Sequence, residues 1–559
     1  MLYTVVLSIE LFRQMLRRAA QLFSSYTSQV ILLSLIMMAP LYILLAAATP
    51  ISNDFYLYSL ILKHTSTQLW NGDFLLKWFS ETNAGMGSPV GLFYGPFVYY
   101  LTSLLQFLDG VDPNGFLRVG ITVNLCLMLS AISAKQWLLA EKFSHAQAEF
   151  GGMLYLLLPY VFGTWSPASF FAAAILPLAL YYTINCKDVW AQLLLAALHA
   201  ALLTSHPPSY LVLGPFLFSY LYYMQRDLIK LIYVAVLSLL LSAYYLVPFF
   251  ANQQFVDFTA FTSGKYDVHV GFYSYDMMLA TLMIVLPPLF FLGISFKKVY
   301  FKKLKFWYIS LLIVLFMLTP LFIPILMMVP VIKNLQFSGR FLILLKPIVS
   351  YLFGYLIAKE PRVYGIKVVM LFLSIALCWN VPTDYFVKEP GGYISYLYKN
   401  QIVMAPEYIT SAMKSHEMNY YLMVKKYEHL PKASFFEGNG EVEISDFSGR
   451  AITLKVDIKS DAAIVLLKRI SFPGWEVFIN GENIHPEEVM FDHDGLIALA
   501  LPNGKQVVQM HWSAKGEYLG YLLSLMGILI ALISVALFTN TLRMRFSEPV
   551  VVQRLRYRN

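Results

Sequence analysis

Long apolar runs constrain the fold of this chain more than any other feature. A transmembrane helix needs about 20 consecutive apolar residues, and such runs recur along most of the 559 residues. Only 13% of the residues are charged and 58% are hydrophobic, whereas a soluble domain has about 25% charged residues. The bilayer is therefore the expected solvent for most of the protein.

The apolar runs predict a polytopic α-helical membrane protein with about 12 transmembrane helices, and a count of about 12 to 14 fits the soft boundaries. The predicted spans lie near 29–49, 118–140, 150–163, 168–186, 189–205, 209–225, 229–250, 277–296, 306–320, 341–358, 364–382 and 518–539. Residues 1–28 contain three arginines and lack a small-residue cleavage site before the first span. They predict a cytoplasmic interfacial helix rather than a signal peptide.

Basic clusters give the predicted sidedness, because cytoplasmic loops are enriched in Lys and Arg. With the run at 297–305 and the basic tail inside, four distant polar stretches reach the outer face: residues 50–117, His206, residues 252–276 and Arg340. This alternation requires 94–108 to be a juxtamembrane helix, since 15 residues are too few for an ordinary span. The net charge of +8 is then explained by cytoplasmic loops, and no nucleic-acid partner is expected.

Residues 383–517 differ in kind from the apolar part. Charges become frequent, and alternating strand-like patterns appear in GEVEISDF, AITLKVDIKS, AAIVLLKRI, WEVFINGENI and KQVVQMHWS. Asn480-Gly481 between apolar runs predicts a two-residue hairpin. The expected organisation is an interfacial segment 1–28, a transmembrane domain 29–382, a small extracytoplasmic β-sandwich within 383–517, and a last span with a basic tail over 518–559.

Asp54 is the first candidate for chemistry, because it follows the first apolar run in PISND. An acid at the outer interface could serve as the general base for a sugar hydroxyl or bind a divalent metal. Asn-Asp after proline is equally typical of a helix cap or a turn. Both interpretations stay open at this stage.

Arg340 and His206 are the cationic candidates. Arg340 precedes a span in LQFSGRFLILL, where a guanidinium can either anchor the helix at the interface or pair with phosphate oxygens. His206 ends another span in LLTSHPPSY and could donate to the same phosphate, although a single histidine is often a buried hydrogen-bonded residue. The following prolines favour an extended exit from the span.

Further polar and aromatic residues of the two predicted outer loops are weaker candidates for binding the substrate. Aromatic rings stack on sugars, and they also populate membrane interfaces. These candidates are Asp73, Glu81, Tyr94, Tyr99, Lys265 and His269. The chain contains none of the usual P-loop, dinucleotide-binding, HExxH or GxSxG motifs, and its three dispersed cysteines predict no disulfide framework or metal cluster.

Several short motifs together resemble a known family. The residues ND (53–54), NGDFLLKW (71–78), GMGSP (85–89), FYGPFVYYL (93–101), TSHPP (204–208), LQFSGRFL (335–342), YEHLP (427–431) and FPGWEVFINGE (472–482) occur in the order seen in bacterial GT-C-type membrane glycosyltransferases of the YfhO family and their relatives. The resemblance covers about residues 50–515. It departs from the family pattern at Ser338-Gly339, where Pro-Trp is usual.

This resemblance implies transfer of a sugar from a polyprenyl-phosphate donor to an envelope glycan or glycolipid on the outer face of the bacterial cytoplasmic membrane, with inversion. Asp54 matches the family's loop aspartate, and Arg340 and His206 match its cationic positions, here assigned to the donor phosphate. No nucleotide is implied, the resemblance leaves open both transfer with a divalent metal and transfer without one, and membrane lipid is the expected surrounding. A separate polyprenyl-phosphate glycosyltransferase and a flippase would supply the donor.

Two other functions are compatible with the sequence. One is a transporter or flippase of lipid-linked sugars, although such proteins usually show paired half-repeats with interrupted helices, and none is visible in this sequence. The other is a GT-C relative without activity that helps to assemble the envelope. Loss of product on Asp54→Asn would separate an enzyme from such an assembly protein.

Overall fold

The computed structural model describes residues 25–46, 53–108, 110–112, 115–158, 166–256, 298–317, 338–357, 426–493 and 495–547, and the single positions 319, 322 and 328. Its α-helices are Tyr26–Ala46, Asn53–Trp70, Val90–Phe93, Phe97–Ser103, Phe116–Ala140, His145–Leu157, Pro167–Ile184, Val189–Ser205, Pro207–Gln225, Leu228–Leu241, Ala243–Asn252, Lys298–Met317, Leu345–Ile357, Pro486–Val489 and Glu517–Ser547. Short 3₁₀ helices occur at Gln106–Leu108, Gln253–Phe255 and Ser338–Leu344. The interfacial helix expected within 1–28 lies almost wholly outside the described residues.

Three of the described helices are long and apolar enough to cross a membrane: Phe116–Ala140, Pro167–Ile184 and the stretch Glu517–Phe538 of the last helix. A fourth crossing results if Leu228–Leu241 and Ala243–Phe255, which are bent by 67°, act as one span. These helices indicate a membrane protein. The count of twelve spans stays a prediction, since the spans expected at 277–296 and 364–382 lie outside the described residues.

The last helix pairs the backbone groups at this bend. Ser524 Oγ accepts a hydrogen bond from the backbone N–H of Tyr244 at 2.8 Å and donates to the carbonyl oxygen of Leu240 at 3.0 Å. Backbone groups freed by a break in an apolar helix need such partners, because lipid offers none. The sharp turn at Ser242 is therefore stabilised by a contact with a segment almost 300 residues later.

Two helices are tied together at the end of the bundle far from the β-sheet. Glu141, in the turn after Phe116–Ala140, accepts hydrogen bonds from Tyr220 Oη and from Tyr351 Oη, the latter at 3.3 Å. The ring of Trp307 stacks on that of Tyr351 and is tilted against that of Trp137. The helices that carry the two tyrosines are therefore held next to each other at the Glu141 carboxylate.

The sheet domain follows residue 432 and consists of seven antiparallel strands. The strands are β1 (Ala433–Glu437), β2 (Gly440–Phe447), β3 (Ala451–Ile470), β4 (Trp475–Ile479), β5 (Glu482–Ile484), β6 (Met490–His493) and β7 (Leu496–Trp512). The path β1-β3-β7-β4-β5 is continuous, β2 adds to β3, and β6 adds to β7. The described strands thus form one sheet rather than the two packed sheets of the expected sandwich.

The difference arises at residues 459–461, where the sequence Lys-Ser-Asp resembles a turn between two strands. In the structure the predicted strands on either side form the single 20-residue strand β3, and the pairing with β7 shifts between Ile458 and Ala462. The Ser460 hydroxyl donates to the carbonyl oxygen of Ala462 at 2.7 Å. A bulge that satisfies its own polar groups accommodates these residues within the strand.

The predicted hairpin at Asn480-Gly481 is confirmed. These residues connect β4 to β5 with φ values of 53° and 86°. Two successive positive φ angles are the conformation that a two-residue type I′ turn requires and that Asn-Gly tolerates best.

The segment after helix Asn53–Trp70 docks on the sheet domain. Trp78 is fully buried, and its ring lies 5.6 Å from that of Trp475 and 4.9 Å from that of Trp512 between centroids. The backbone N–H of Ile470 donates to the carbonyl oxygen of Met86 at 3.0 Å. The sheet and the segment 71–103 therefore share one core, in which Trp475 packs as the FPGW motif suggests.

Candidate functional site

His206 occupies the junction of two helices at the end of the bundle that faces the sheet. It is the C-cap of Val189–Ser205 and the N-cap of Pro207–Gln225. The two prolines that follow are suited to the first turn of a helix, since the backbone N–H groups there have no helical partner. The chain thus reverses at His206 and leaves its half-buried imidazole at the start of a 19-residue helix.

The hydrogen bonds of the imidazole define its tautomer. The backbone N–H of Ser209 donates to Nδ1 of His206 at 3.3 Å, and Ser209 Oγ lies 2.6 Å from the same nitrogen. A nitrogen that accepts from a backbone N–H carries no proton. We therefore assign the proton of the neutral ring to Nε2, which makes His206 a hydrogen-bond donor on its other side.

A second helix begins next to this donor. Nε2 of His206 lies 3.4 Å from Ser169 Oγ, in the first turn of helix Pro167–Ile184. The N-cap of that helix, Ser166, makes no capping bond with its side chain, and within the described part of the chain its buried hydroxyl has no hydrogen-bond partner. Two helix N-termini, each with a partial positive charge, thus meet at His206, which is an arrangement suited to an anion.

The loop after the first helix covers this end of the bundle. A Cβ atom on Gly95 would lie 2.2 Å from the carbonyl oxygen of Thr204, so only glycine allows the loop to approach so closely. Tyr245 Oη donates to the carbonyl oxygen of Phe93 at 2.9 Å. The FYGPF motif is therefore packed directly against the turn that contains His206.

Asp54 is the second residue of helix Asn53–Trp70, so its backbone belongs to a helix rather than to an irregular loop. Tyr58, one helical turn later, contacts Tyr94 with ring centroids 6.0 Å apart. Because positions four apart share a helix face, position 54 lies on the face that meets the FYGPF loop. The side chain of Asp54 is outside the described part of the structure.

Arg340 lies in the 3₁₀ helix Ser338–Leu344, which packs against helix Pro207–Gln225; its side chain is not among those described. Tyr220 and Tyr351, which both bind Glu141, serve as a common reference for the positions of His206 and Arg340 along the bundle. His206 precedes Tyr220 by a helical rise of about 21 Å, and Arg340 precedes Tyr351 by about 19 Å. The backbones of His206 and Arg340 are thus at similar heights in the bundle.

Asp73 and Glu81 lie away from Asp54. Asp73 accepts hydrogen bonds from Gln68 Nε2 at 2.7 Å and from the backbone N–H of Leu75 at 3.2 Å. Gln68 is about 21 Å along the helix from Asp54, so Asp54 and Asp73 do not form a pair of carboxylates. Glu81 is exposed, beside the sheet domain, where its charge acts on Arg469.

Of the remaining candidates for substrate binding, the two tyrosines pack against other aromatic rings, and the other two lie outside the described residues. Tyr94 is half-buried against Tyr58, whereas Tyr99 is buried and packs edge-on against Phe79. Burial raises the pKa of Tyr99 well above its ordinary value, as expected for a phenol within a core. Lys265 and His269 lie outside the described residues.

Lys77 places a charge where the loop, the sheet and the last helix meet. Its ammonium lies 3.4 Å from Glu517 Oε1, which also accepts from Arg450 Nη1 at 3.0 Å. Burial lowers the pKa of Lys77 to about 8, and the neighbouring Glu517 opposes that shift. A cavity of about 20 Å³ adjoins Lys77 and Tyr100, which is room for a water molecule rather than a sugar ring.

Sequence reasoning missed two serines at the helix N-terminus beside His206 and one buried lysine elsewhere in the bundle. Ser166 and Ser169 in SPASFF look like ordinary helix-capping residues, and the open hydroxyl of Ser166 appears only in the structure. Lys346 is 2% exposed and donates to the carbonyl oxygen of Leu158 at 2.7 Å. A lysine inside an apolar run is a recognisable signal, because a buried charge is costly and usually functional.

The donor groups at this site suit an anion better than a cation. The described residues contain no cluster of three or more His, Cys, Asp or Glu side chains arranged to hold a metal ion. The imidazole of His206 contacts the hydroxyls of Ser169 and Ser209. Such groups bind phosphate or sugar oxygens by hydrogen bonding.

Comparison with known proteins gives distant similarities. No family model matches the sequence. An uncharacterized protein of Lactococcus lactis subsp. cremoris (strain MG1363) is 26% identical over 314 residues, which cover 48% of this chain and 50% of that relative. The chain thus matches about half the length of this curated relative.

Among solved structures, the chain is similar to the Archaeoglobus fulgidus oligosaccharyltransferase. The apo form gives a TM-score of 0.36 at 11% identity and covers 73% of this chain and 60% of that one. The complex with Zn and sulfate gives a TM-score of 0.30 at 12% identity and covers 73% and 57%. At these values the similarity carries no inference about activity, and the resemblance to the YfhO family stays a prediction from the motifs.

Proposed function

We propose that this protein is a membrane glycosyltransferase that moves a sugar from a polyprenyl-phosphate donor to a glycan or glycolipid of the cell envelope. One observation carries the proposal. The Nε2–H of His206 is held as a donor where two helix N-termini meet, and the FYGPF loop packs against the same turn. A phosphate at the membrane surface is the ligand that this arrangement fits best.

The proposed reaction is a single displacement at the anomeric carbon. The acceptor hydroxyl attacks the anomeric carbon and gives its proton to the Asp54 carboxylate. The bond between that carbon and the phosphate oxygen breaks, and the polyprenyl phosphate leaves with the bonding electrons. His206 and Arg340 stabilise the negative charge that develops on the phosphate, and attack opposite the leaving group inverts the anomeric centre.

In this proposal the site faces the outside of the bacterial cytoplasmic membrane. A polyprenyl chain keeps its phosphate at the interface, which is the height expected for a group at the end of the helical bundle. The donor would be made and turned outward by other membrane proteins. The sheet domain, fixed to the loop through Trp78, would then stand above the acceptor side.

Mass analysis of envelope glycans tests the function. Cells that lack the gene are complemented either with the wild-type protein or with Asp54→Asn at matched membrane abundance. A glycan heavier by one sugar residue in the wild type alone supports an enzyme. Identical glycans in the wild-type and deletion strains would exclude transfer, and restoration by Asp54→Asn would favour a role in assembly without catalysis.

A further inference from the structure

The N-terminus of helix Pro167–Ile184 contains a hydrogen-bond donor that its own helix does not use. An N-cap serine normally accepts from a backbone N–H in the first turn, but Ser166 makes no such bond. Ser166 is only 3% exposed, and its hydroxyl has no hydrogen-bond partner among the described residues. A buried hydroxyl without a partner carries a desolvation cost that a bound oxygen would remove.

Ser169 provides a second hydroxyl on the same helix, next to His206. It is 4% exposed, lies three residues after Ser166 on the adjoining helical turn, and its Oγ is 3.4 Å from His206 Nε2. A separation of 3.4 Å is long for a hydrogen bond, so an oxygen atom that accepts from both groups would bind better than they bind each other. The imidazole of His206 is only partly buried, whereas both serines are buried.

We propose that the hydroxyls of Ser166 and Ser169 bind the phosphate of the lipid-linked donor together with Nε2–H of His206. This inference rests on the proposed function. It adds two substrate-binding residues that the sequence motifs do not indicate. The two hydroxyls and the imidazole donate to phosphate oxygens, and the partial positive charges of the two helix N-termini favour the phosphate's negative charge.

Binding of a sugar-free lipid tests this assignment separately from transfer. The full-length protein in nanodiscs is titrated with undecaprenyl phosphate, and with undecaprenol as the uncharged probe, by microscale thermophoresis. Ser166→Ala and Ser169→Ala should each weaken binding of undecaprenyl phosphate about tenfold, because each removes a hydrogen bond to a charged group. Binding of undecaprenol should not change.

Thr183→Val is the matched control. Thr183 is buried at the other end of the same helix, and its hydroxyl donates to the carbonyl oxygen of Ala179 at 2.8 Å. This variant should bind both probes as the wild type does. Ser169→Cys, which keeps the volume but weakens the donor, provides a second reading if Ser169→Ala reduces the folded fraction.

Three outcomes decide whether Ser166 and Ser169 bind the donor phosphate. Weaker binding of the phosphate probe in both serine variants, with Thr183→Val unchanged, supports the assignment. Unchanged binding in a Ser166→Ala/Ser169→Ala double variant overturns it and leaves the proposed function standing. If the wild-type protein does not distinguish undecaprenyl phosphate from undecaprenol, both the phosphate subsite and the polyprenyl-phosphate donor are excluded.

Discussion

His206 Nδ1 accepts a hydrogen bond from the backbone N–H of Ser209 at 3.3 Å. The bond caps helix Pro207–Gln225 and, at the same time, leaves the ring proton on Nε2. One interaction thus serves the fold and prepares a donor for the substrate. A residue that replaces histidine here must satisfy both requirements.

Substitution of His206 should separate these two roles. His206→Asn retains a good helix cap, whereas His206→Ala removes it and should lower the free energy of unfolding by about 1 kcal/mol more. Both variants should weaken binding of undecaprenyl phosphate by about tenfold or more, because the imidazole donor is lost in each. Thermal unfolding and lipid titration measure the two effects. Wild-type binding by His206→Asn would restrict the residue to capping.

Substitution of Asp54 and substitution of Asp73 should have different effects on product formation. Asp54→Asn removes the proposed base and should lower product formation at least about a hundredfold, the usual contribution of general base catalysis. Asp73→Asn alters a carboxylate that bonds Gln68 and Leu75, and should cost about 1 kcal/mol of stability while product is retained. Envelope glycan yield per folded protein is the measurement. Equal loss of product in both variants would count against a special role for Asp54.

Arg340→Ala should affect the donor more than the acceptor. Loss of a guanidinium that pairs with phosphate should raise the KM for the lipid-linked donor about tenfold or more, with little change in the KM for the acceptor. Arg226→Ala is the control, because Arg226 lies at the other end of helix Pro207–Gln225, above the ring of Tyr223. A donor KM that is unchanged in Arg340→Ala would remove the residue from the phosphate site.

Lys77 should give the wild-type protein a stability that rises with pH. Its pKa is lowered by burial to about 8, while an unfolded chain keeps the lysine protonated to about pH 10.4. Above pH 8 the unfolded state therefore binds more protons, and the free energy of unfolding increases. The gain relative to Lys77→Met should reach about 2 kcal/mol by about pH 9.5. Unfolding measured in detergent from pH 7 to that value checks it, and parallel curves would contradict the shift.

The parts of the fold that could be predicted are those governed by local rules. Asn480-Gly481 specifies its turn through backbone conformation alone. Strand β2 covers the predicted segment GEVEISDF, although its pairing with β3 shifts between Ile444 and Asp446. The conformation of Lys459-Ser460-Asp461 could not be predicted, since a polar triplet is compatible with a turn or with a bulge, and only the pairing of β3 with β7 decides between them.

The candidate site was predictable in its residue types but not in its details. The motif around His206 identifies a polar group at the end of a span, and helix Asn53–Trp70 explains why Asp54 could also be interpreted as a capping residue. The role proposed for Ser166 depends on a hydrogen bond that is not made, which no sequence pattern records. The local use of Asp73 depends on Gln68, whose side-chain direction is set by the fold.

Distances between Asp54, His206 and Gln225 test the central claim most directly. Spin labels are placed on cysteines substituted at these positions in the full-length protein, and pulsed electron paramagnetic resonance measures the 54–206 and 54–225 separations. Helix Pro207–Gln225 is about 27 Å long, so a site shared by Asp54 and His206 requires a 54–206 distance much shorter than the 54–225 distance. A 54–206 separation equal to or longer than the 54–225 separation would contradict the account.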